Sequence, residues 1–169
     1  QEVGLKVRYA PARELFAQRG AKTQDDSEFV KLPREVVEKY RKMAPPSFTF
    51  HARDPKFDKT IPRDSPVIVT ASSAPDIIDP VTGHERRAES GDIARIAHLI
   101  NELPGYDMFS ISTLADDAPK DQFTISRLYP ALKYCLKPIR ATTTDHKDTL
   151  AMMEMAYIVA GGKEAYKEH

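Results

Sequence analysis

The sequence of 169 residues has no tryptophan, one cysteine and no excess charge of either sign. Lys and Arg together number 25, as do Asp and Glu, so no broad positive field is present to gather the phosphates of a nucleic acid. The single cysteine, Cys135, cannot form a disulfide within the chain, which favours a reducing cytoplasm. These features argue against a nucleic-acid-binding protein and against a disulfide-rich secreted domain.

Long apolar runs are also missing. No stretch approaches the ~20 apolar residues that a membrane-spanning helix needs, and residues 1–4 lack the basic-then-apolar layout of a signal peptide. We therefore expect a cytoplasmic protein that makes no use of a membrane. The chain begins without methionine, and Val3, Leu5 and Val7 alternate as they would inside a structured element, so we expect it to be part of a longer protein.

The first 64 residues carry mixed patterns. Apolar residues at helical spacing predict amphipathic helices over residues 11–19, ending at Gly20, and from Pro33 to Ala44. Short strands are predicted at residues 29–32 and 48–52, and a loop over residues 56–64. We interpret residues 1–64 as an α+β cap.

Residues 65–169 form the second region, and residues 90–144 within it run twice through one unit, in which a helix is followed by a short apolar strand and a polar loop. The predicted helices span residues 91–103, 125–136 and 146–160, and the predicted strands span residues 67–70, 107–112 and 137–141, with a hairpin near residues 76–87. Pro130 marks either the beginning of the middle helix near Tyr129 or a kink in it. Because parallel strands need a crossover and ligands collect where such strands end, we predict three parallel strands with their polar loops around one cavity.

Several strings in this order and spacing resemble the trimethylamine methyltransferase family. They are KLPREVV at 31–37, APPSFT at 44–49, RDP at 53–55, IDPVTGHERR at 78–87, GDIARIA at 91–97, LPGYD at 103–107 and KPI at 137–139. Members are (β/α)8 barrels. The resemblance implies an α/β fold, namely the N-terminal part of a TIM barrel with about three parallel βα units and the cap. Since a full ring takes ~250 residues, we expect an open sheet edge and no activity from the isolated chain.

The resemblance also implies a reaction. In this family a methyl group passes from a methylated amine to the cobalt of a corrinoid held on a partner protein, by SN2 attack of Co(I). A quaternary amine such as a betaine leaves as a neutral amine, whereas trimethylamine needs an activating group, which in the family is pyrrolysine, in the C-terminal part of its pattern. We expect a betaine-type donor, a cognate corrinoid protein as partner and corrinoid as its cofactor. Whether the protein forms a homo-oligomer is left open, and we expect no metal ion bound by this chain itself.

Six polar residues follow predicted strands and are candidates for substrate binding: Ser72, Ser73, Asp116, Asp117, Thr142 and Thr143. Each has a structural alternative. The serines form the turn into the hairpin, the aspartates are solvated loop carboxylates, or the threonines cap the last helix. No catalytic residue is identified.

Other residues also have two interpretations. Arg140 either binds a betaine carboxylate, if it faces the cavity, or forms a salt bridge on the exterior. Asp145 is interpreted as a helix cap beside His146, and Cys135 as a small buried apolar residue. The five histidines are dispersed, which argues against a zinc or iron site. Five rings either form a cage for a trimethylammonium group or pack in the core, namely Tyr106, Phe109, Phe123, Tyr129 and Tyr134.

Three function classes remain open at this point. The first is the corrinoid-dependent methyltransferase, the second is another barrel enzyme that shares only the scaffold, and the third is a non-catalytic fragment or interaction module.

Overall fold

The computed structural model describes residues 3–24, 27–71 and 73–168. The chain forms two compact units, residues 1–46 and 47–169. This geometric division does not decide where a cap would end in the whole protein, so the boundary after residue 64 stays a prediction. In the described ranges, no helix has the length and apolar character that crossing a membrane requires.

The first unit joins a three-stranded antiparallel sheet to two helices. Its elements are β1 (Leu5–Lys6), α1 (Ala10–Gln18), β2 (Lys22–Thr23), β3 (Phe29–Lys31) and α2 (Arg34–Arg41). Strand β3 lies between the other two, and its Val30 is fully buried. Gly20 follows α1 with φ of +94°, a conformation that favours glycine, and Pro33 precedes α2. Both helices predicted in this region are confirmed.

The second unit contains the repeated strands and helices. Its elements are β4 (Phe48–Phe50), β5 (Lys59–Ile61), β6 (Asp76–Ile78), β7 (Glu85–Arg87), α3 (Ser90–Glu102), β8 (Phe109–Ser110), α4 (Phe123–Tyr134), β9 (Ile139–Arg140), α5 (His146–Ala160) and α6 (Lys163–Lys167). Single 3₁₀ turns occupy Pro55–Phe57 and Lys120–Gln122. The predicted hairpin is confirmed as the antiparallel pair of β6 and β7.

Three segments lie side by side and parallel, as predicted. Strand β8 pairs with β9, with Phe109 opposite Ile139, and Val69 forms a parallel bridge to Met108. A second parallel bridge joins Ala74 to Thr113. The chain is therefore of mixed α and β structure with small sheets, and no closed barrel is formed by the described residues. The (β/α)8 barrel stays a prediction.

The strand predicted at residues 67–70 is reduced to one bridge. Side chains take over part of its ladder. The Ile68 carbonyl oxygen still accepts from the Met108 amide at 3.1 Å, but the Ile68 amide donates to the Asp107 carboxylate at 2.9 Å. The Thr70 hydroxyl donates to the Ser110 carbonyl oxygen at 2.6 Å and accepts from the Ser110 amide at 3.0 Å. Prediction of a full strand here was wrong because hydropathy does not show this local competition for backbone groups.

Two other expectations are corrected. The predicted loop at residues 56–64 contains β5, which pairs antiparallel with β4, and the hydroxyls of Thr49 and Thr60 lie 2.9 Å apart across the pair. Helix α4 begins at Phe123, so the interpretation in which it begins near Tyr129 is wrong. Pro130 lies inside α4 and is buried, at the cost of one backbone hydrogen bond.

The core of the second unit lies between the parallel segments and the helices α3 and α4. Its fully buried or nearly buried members are Ile93, Ala97, Ile100, Phe109, Ile111, Ala115, Leu128, Ala131 and Cys135. Burial of each large apolar side chain contributes about 1.5 to 3 kcal/mol. Cys135 is confirmed as a buried apolar residue, and desolvation raises the pKa of its thiol. The core therefore fixes one face of the three-segment sheet.

Candidate active site

The downstream ends of the three parallel segments meet. The Ser73 amide donates to the Ile111 carbonyl oxygen at 3.4 Å, and the Ala74 amide donates to the Ser112 carbonyl oxygen at 2.9 Å. The Ile111 amide donates to the Arg140 carbonyl oxygen at 3.1 Å. We call residues 73–74, 111–113 and 140–143 the carboxyl rim, which is where ligands bind in sheets of parallel strands.

The upstream ends of the same segments are covered by the β4–β5 hairpin and the loop that follows it. Lys59 Nζ lies 3.0 Å from an Asp107 carboxylate oxygen, and Arg63 lies 3.8 Å from the same oxygen. Although burial raises it, the pKa of Asp107 is lowered overall by hydrogen bonds from Ile68 and Lys59. The Asp54 amide also donates to the Leu136 carbonyl oxygen. We call this covered end the amino end.

The candidate aspartates hold structure near the carboxyl rim. Asp117 accepts hydrogen bonds from the Ser90 amide at 2.7 Å and the Ser90 hydroxyl at 2.6 Å, at the first residue of α3. These bonds lower the pKa of Asp117. Asp116 is exposed and lies 3.9 Å from Arg87. Asp117 therefore holds the start of α3, whereas Asp116 is a solvent-exposed loop carboxylate. A role of either in substrate binding stays a prediction.

The candidates Ser73, Thr142 and Thr143 lie on the carboxyl rim itself. Ser73 has φ of +64°, and Ser72 lies outside the described residues. Thr142 is exposed, and the Thr143 hydroxyl accepts a hydrogen bond from Thr149 at 3.0 Å. Their part in binding stays a prediction.

Asp145 caps α5, as predicted, because its carboxylate accepts a hydrogen bond from the Asp148 amide at 2.9 Å. Gly161 ends α5 in the left-handed conformation. These contacts fix where the segment that follows β9 turns into the last long helix.

A large open cleft of about 1370 Å³ runs along β9. Val69, Met108 and Pro138 contribute apolar walls, and Arg140 lies on the same lining. Arg140 is exposed, and within the described residues its guanidinium group forms no hydrogen bond or ion pair. The expected exterior salt bridge is therefore not found there.

Comparison with known proteins gives a consistent result. The pattern of the trimethylamine methyltransferase (MTTB) family matches residues 1–169. The chain belongs to this family. It is 31% identical to the glycine betaine methyltransferase of Desulfitobacterium hafniense strain Y51, over 99% of this chain and 35% of that protein. It is 26% identical to the trimethylamine methyltransferase MttB of Desulfitobacterium hafniense strain DSM 10664 / DCB-2, over 98% of this chain and 33% of that protein.

The chain thus spans about a third of the length of these relatives. The resemblance inferred from the sequence strings is confirmed at the level of the family.

Two buried cations were not predicted from the sequence. Lys137 is 3% exposed, and its Nζ donates to the carbonyl oxygens of Ile100, Leu103 and Tyr106 at 2.6 to 2.8 Å. Desolvation lowers the pKa of Lys137. Because its acceptors lie around the end of α3, Lys137 ties that helix to the amino end of β9.

The second buried cation supports the carboxyl rim. Arg127 of α4 donates from Nε to the Thr113 carbonyl oxygen at 3.1 Å and from Nη2 to the Ile111 carbonyl oxygen at 3.4 Å. Desolvation lowers the pKa of Arg127, and its guanidinium lies 4.9 Å from the Phe123 ring centre. Arg127 therefore holds the backbone of the carboxyl rim from the side of the sheet on which α4 packs. The sequence signal was a lone arginine on the apolar face of a helix.

Two rim hydroxyls are buried without a partner among the described residues: Ser112 Oγ and Thr113 Oγ1. A buried hydroxyl left without a hydrogen bond costs about 1 to 3 kcal/mol, and such groups need a specific explanation. They directly follow the segment of β8, which is the only sequence signal that pointed to them.

The aromatic rings considered for a cage are scattered through different environments. Phe109 is fully buried in the core, and Tyr106 packs against that core. Phe123 faces Arg127, whereas Tyr129 and Tyr134 are exposed beside Lys133. Core packing is thus confirmed for Phe109. Within the described ranges, no group of three His, Cys, Asp or Glu side chains is placed to hold a metal ion.

Proposed function

We propose that this chain is part of a methyltransferase that takes a methyl group from a methylated amine. The proposed donor is a quaternary amine such as a betaine, and the proposed acceptor is the cobalt of a corrinoid carried by a partner protein. The observation that carries the proposal is the family match across residues 1–169. The relatives named above act, by their names, on glycine betaine and trimethylamine.

We further propose that the three parallel segments are the first strands of a (β/α)8 barrel completed by a longer protein. Three observations support this. The segments are parallel, α3 and α4 pack on one face, and the β4–β5 hairpin covers the amino end. In a barrel of this kind the lumen opens at the carboxyl rim, and the isolated chain would be inactive.

The task of this chain would be to hold and orient the amine at the carboxyl rim. An ammonium group with three methyl groups donates no ordinary hydrogen bond, so apolar walls such as Val69 and Met108 suit it. Holding one N-methyl group in line with its acceptor and excluding water lowers the barrier to transfer. When present, the reduced corrinoid supplies the nucleophile, and the amine leaves without needing a proton.

The test uses the full-length protein, a reduced corrinoid protein and candidate methylated amines. Formation of the methyl-cobalt absorbance with at least one betaine is the expected result. The same mixture with trimethylamine should show no change unless the full-length protein supplies an activating group. Absence of a spectral change with every methylated amine would reject the proposed function.

A further inference from the structure

The face of the sheet that carries Arg140 follows from the strand register. Phe109 and Ile139 are register partners, and both pack in the core between the sheet and its helices. Because successive side chains of a strand point to opposite faces, the next register pair, Ser110 and Arg140, lies on the other face. Met108 belongs to that face as well and lines the cleft. Arg140 is thus on the cleft side of the carboxyl rim.

Among the described residues, one cation on the lining of this cleft has no hydrogen-bond or ion-pair partner. The other cations on its lining have acceptors: Lys137 donates to three carbonyl oxygens, and Arg53 donates to the Leu132 carbonyl oxygen. Asp58 accepts hydrogen bonds from the Ala52 amide and from His51. In the described part of the chain, Arg140 is the lining cation whose donors have no acceptor.

We propose that Arg140 binds the carboxylate of the betaine and so selects betaines over methylated cations that carry no carboxylate. This inference rests on the proposed function and adds the residue that would determine its specificity. A guanidinium group matches a carboxylate with two parallel hydrogen bonds, while the apolar walls of the cleft accept the methyl groups. A methylated cation without a carboxylate would meet an unpaired positive charge and be disfavoured.

The buried hydroxyl of Ser112 supports the same location. Ser112 comes two residues after Ser110, so an extended chain places it on the Arg140 face, one step further along the rim. Its Oγ has no hydrogen-bond partner in the described ranges. A hydroxyl donor beside a guanidinium group is suited to a carboxylate that needs several donors.

The test is isothermal titration calorimetry on the full-length protein with two probes, glycine betaine and choline. Both carry the trimethylammonium group, but choline has a hydroxymethyl group in place of the carboxylate. Wild-type protein should bind glycine betaine at least about tenfold more tightly than choline. Arg140→Gln should weaken glycine betaine binding about tenfold or more and leave choline binding unchanged or tighter.

The matched control is Arg34→Gln, which removes an exposed arginine at the start of α2, outside the cleft, and should leave both affinities unchanged. If Arg140→Gln lowers the melting temperature, Arg140→Lys serves instead, since it keeps the charge and loses the paired geometry. Arg140→Lys should then show an intermediate loss. Equal binding of the two probes by wild-type protein, or unchanged glycine betaine affinity in the arginine variant used, would overturn the inference.

The methyl-cobalt assay separates this inference from the proposed function. Binding of glycine betaine through Arg140 without methyl transfer would reject the function and keep the binding site. Equal methyl transfer from glycine betaine by wild-type protein and Arg140→Gln, both assayed below saturation, would reject the site and keep the function.

Discussion

The two ends of the parallel segments differ in how their polar groups are satisfied. At the amino end, Lys59 and Arg63 share Asp107, and Lys137 has three carbonyl acceptors. At the carboxyl rim, two buried hydroxyls and the Arg140 guanidinium group lack partners among the described residues. Polar groups without partners cost stability unless a ligand completes them. This contrast fits a structural role for the amino end and supports the proposal that the carboxyl rim binds a ligand.

The largest effect is expected at the amino end from Lys137→Met. The substitution leaves three carbonyl oxygens without their donor in a buried place, so the free energy of unfolding should fall by about 3 kcal/mol. Urea unfolding of the full-length protein measures this loss. Lys133→Met, on the exposed side of α4, is the control and should change the free energy by less than about 0.5 kcal/mol. Similar values for the two variants would contradict a structural role for Lys137.

An intermediate effect is expected from the ion pairs that hold the β6–β7 hairpin on α3. Arg86 hydrogen-bonds to Asp92 and lowers the pKa of that carboxyl to about 2, and Asp92 is only 1% exposed. Because the native pKa lies below its ordinary value, the unfolded chain binds the proton first as pH falls. The stabilisation is therefore complete at neutral pH and is lost between about pH 4 and pH 2.

Asp92→Asn should remove about 1.5 kcal/mol of stability at pH 7, after discounting for the solvent that reaches Arg86, and much less at pH 2. Urea unfolding of the wild-type protein and the variant as a function of pH measures the difference. A pH-independent difference would mean that packing, and not the carboxylate charge, is what Asp92 contributes.

Substitution of the two candidate aspartates should have a smaller effect on stability, and the effect should differ between them. Asp117→Ala removes the acceptor for the first amide of α3 and should cost about 1 kcal/mol, as losses of helix caps do. Asp116→Ala should have almost no effect on stability, because its contact with Arg87 is exposed. Thermal unfolding of both variants tests the difference. A large loss of substrate affinity in Asp116→Ala, without loss of stability, would instead place Asp116 in the substrate site.

The smallest loss of stability is expected from Ser112→Ala at the carboxyl rim. Removing a buried hydroxyl that has no partner relieves its cost, so the free energy of unfolding should not fall and should rise by about 1 kcal/mol. The affinity for glycine betaine should fall severalfold in the same variant. Urea unfolding and calorimetric titration together test this. A clear loss of stability would show that a protein group, and not a ligand, satisfies this hydroxyl.

The fold could be predicted where apolar residues at regular spacing form one face that packs in the core. Helix α3 was predicted within one residue at each end because Ile93, Ala97 and Ile100 form one continuous stripe. The parallel arrangement was predicted because a helix separates β8 from β9 in the sequence. The strand predicted at residues 67–70 was too long. The side chains of Thr70 and Asp107 form several of the hydrogen bonds that a neighbouring strand would otherwise form.

The candidate site could be located only in part. The rim was predicted from polar loops after apolar strands, and Ser73 and the two threonines do lie on it. The buried cations Lys137 and Arg127 were missed because their acceptors are backbone carbonyl oxygens at least 14 residues away, and no local spacing encodes such contacts. The unpaired state of Arg140 likewise became visible only with its neighbours in place.

Hydrogen–deuterium exchange of the full-length protein, with and without glycine betaine, tests the contrast between the two ends most directly. The account predicts slower exchange of backbone amides in residues 111–113 and 140–143 when glycine betaine is bound, and unchanged exchange in residues 59–63 of the amino end, which lie outside the cleft. Protection of residues 59–63 with no change in residues 111–113 and 140–143 would contradict it.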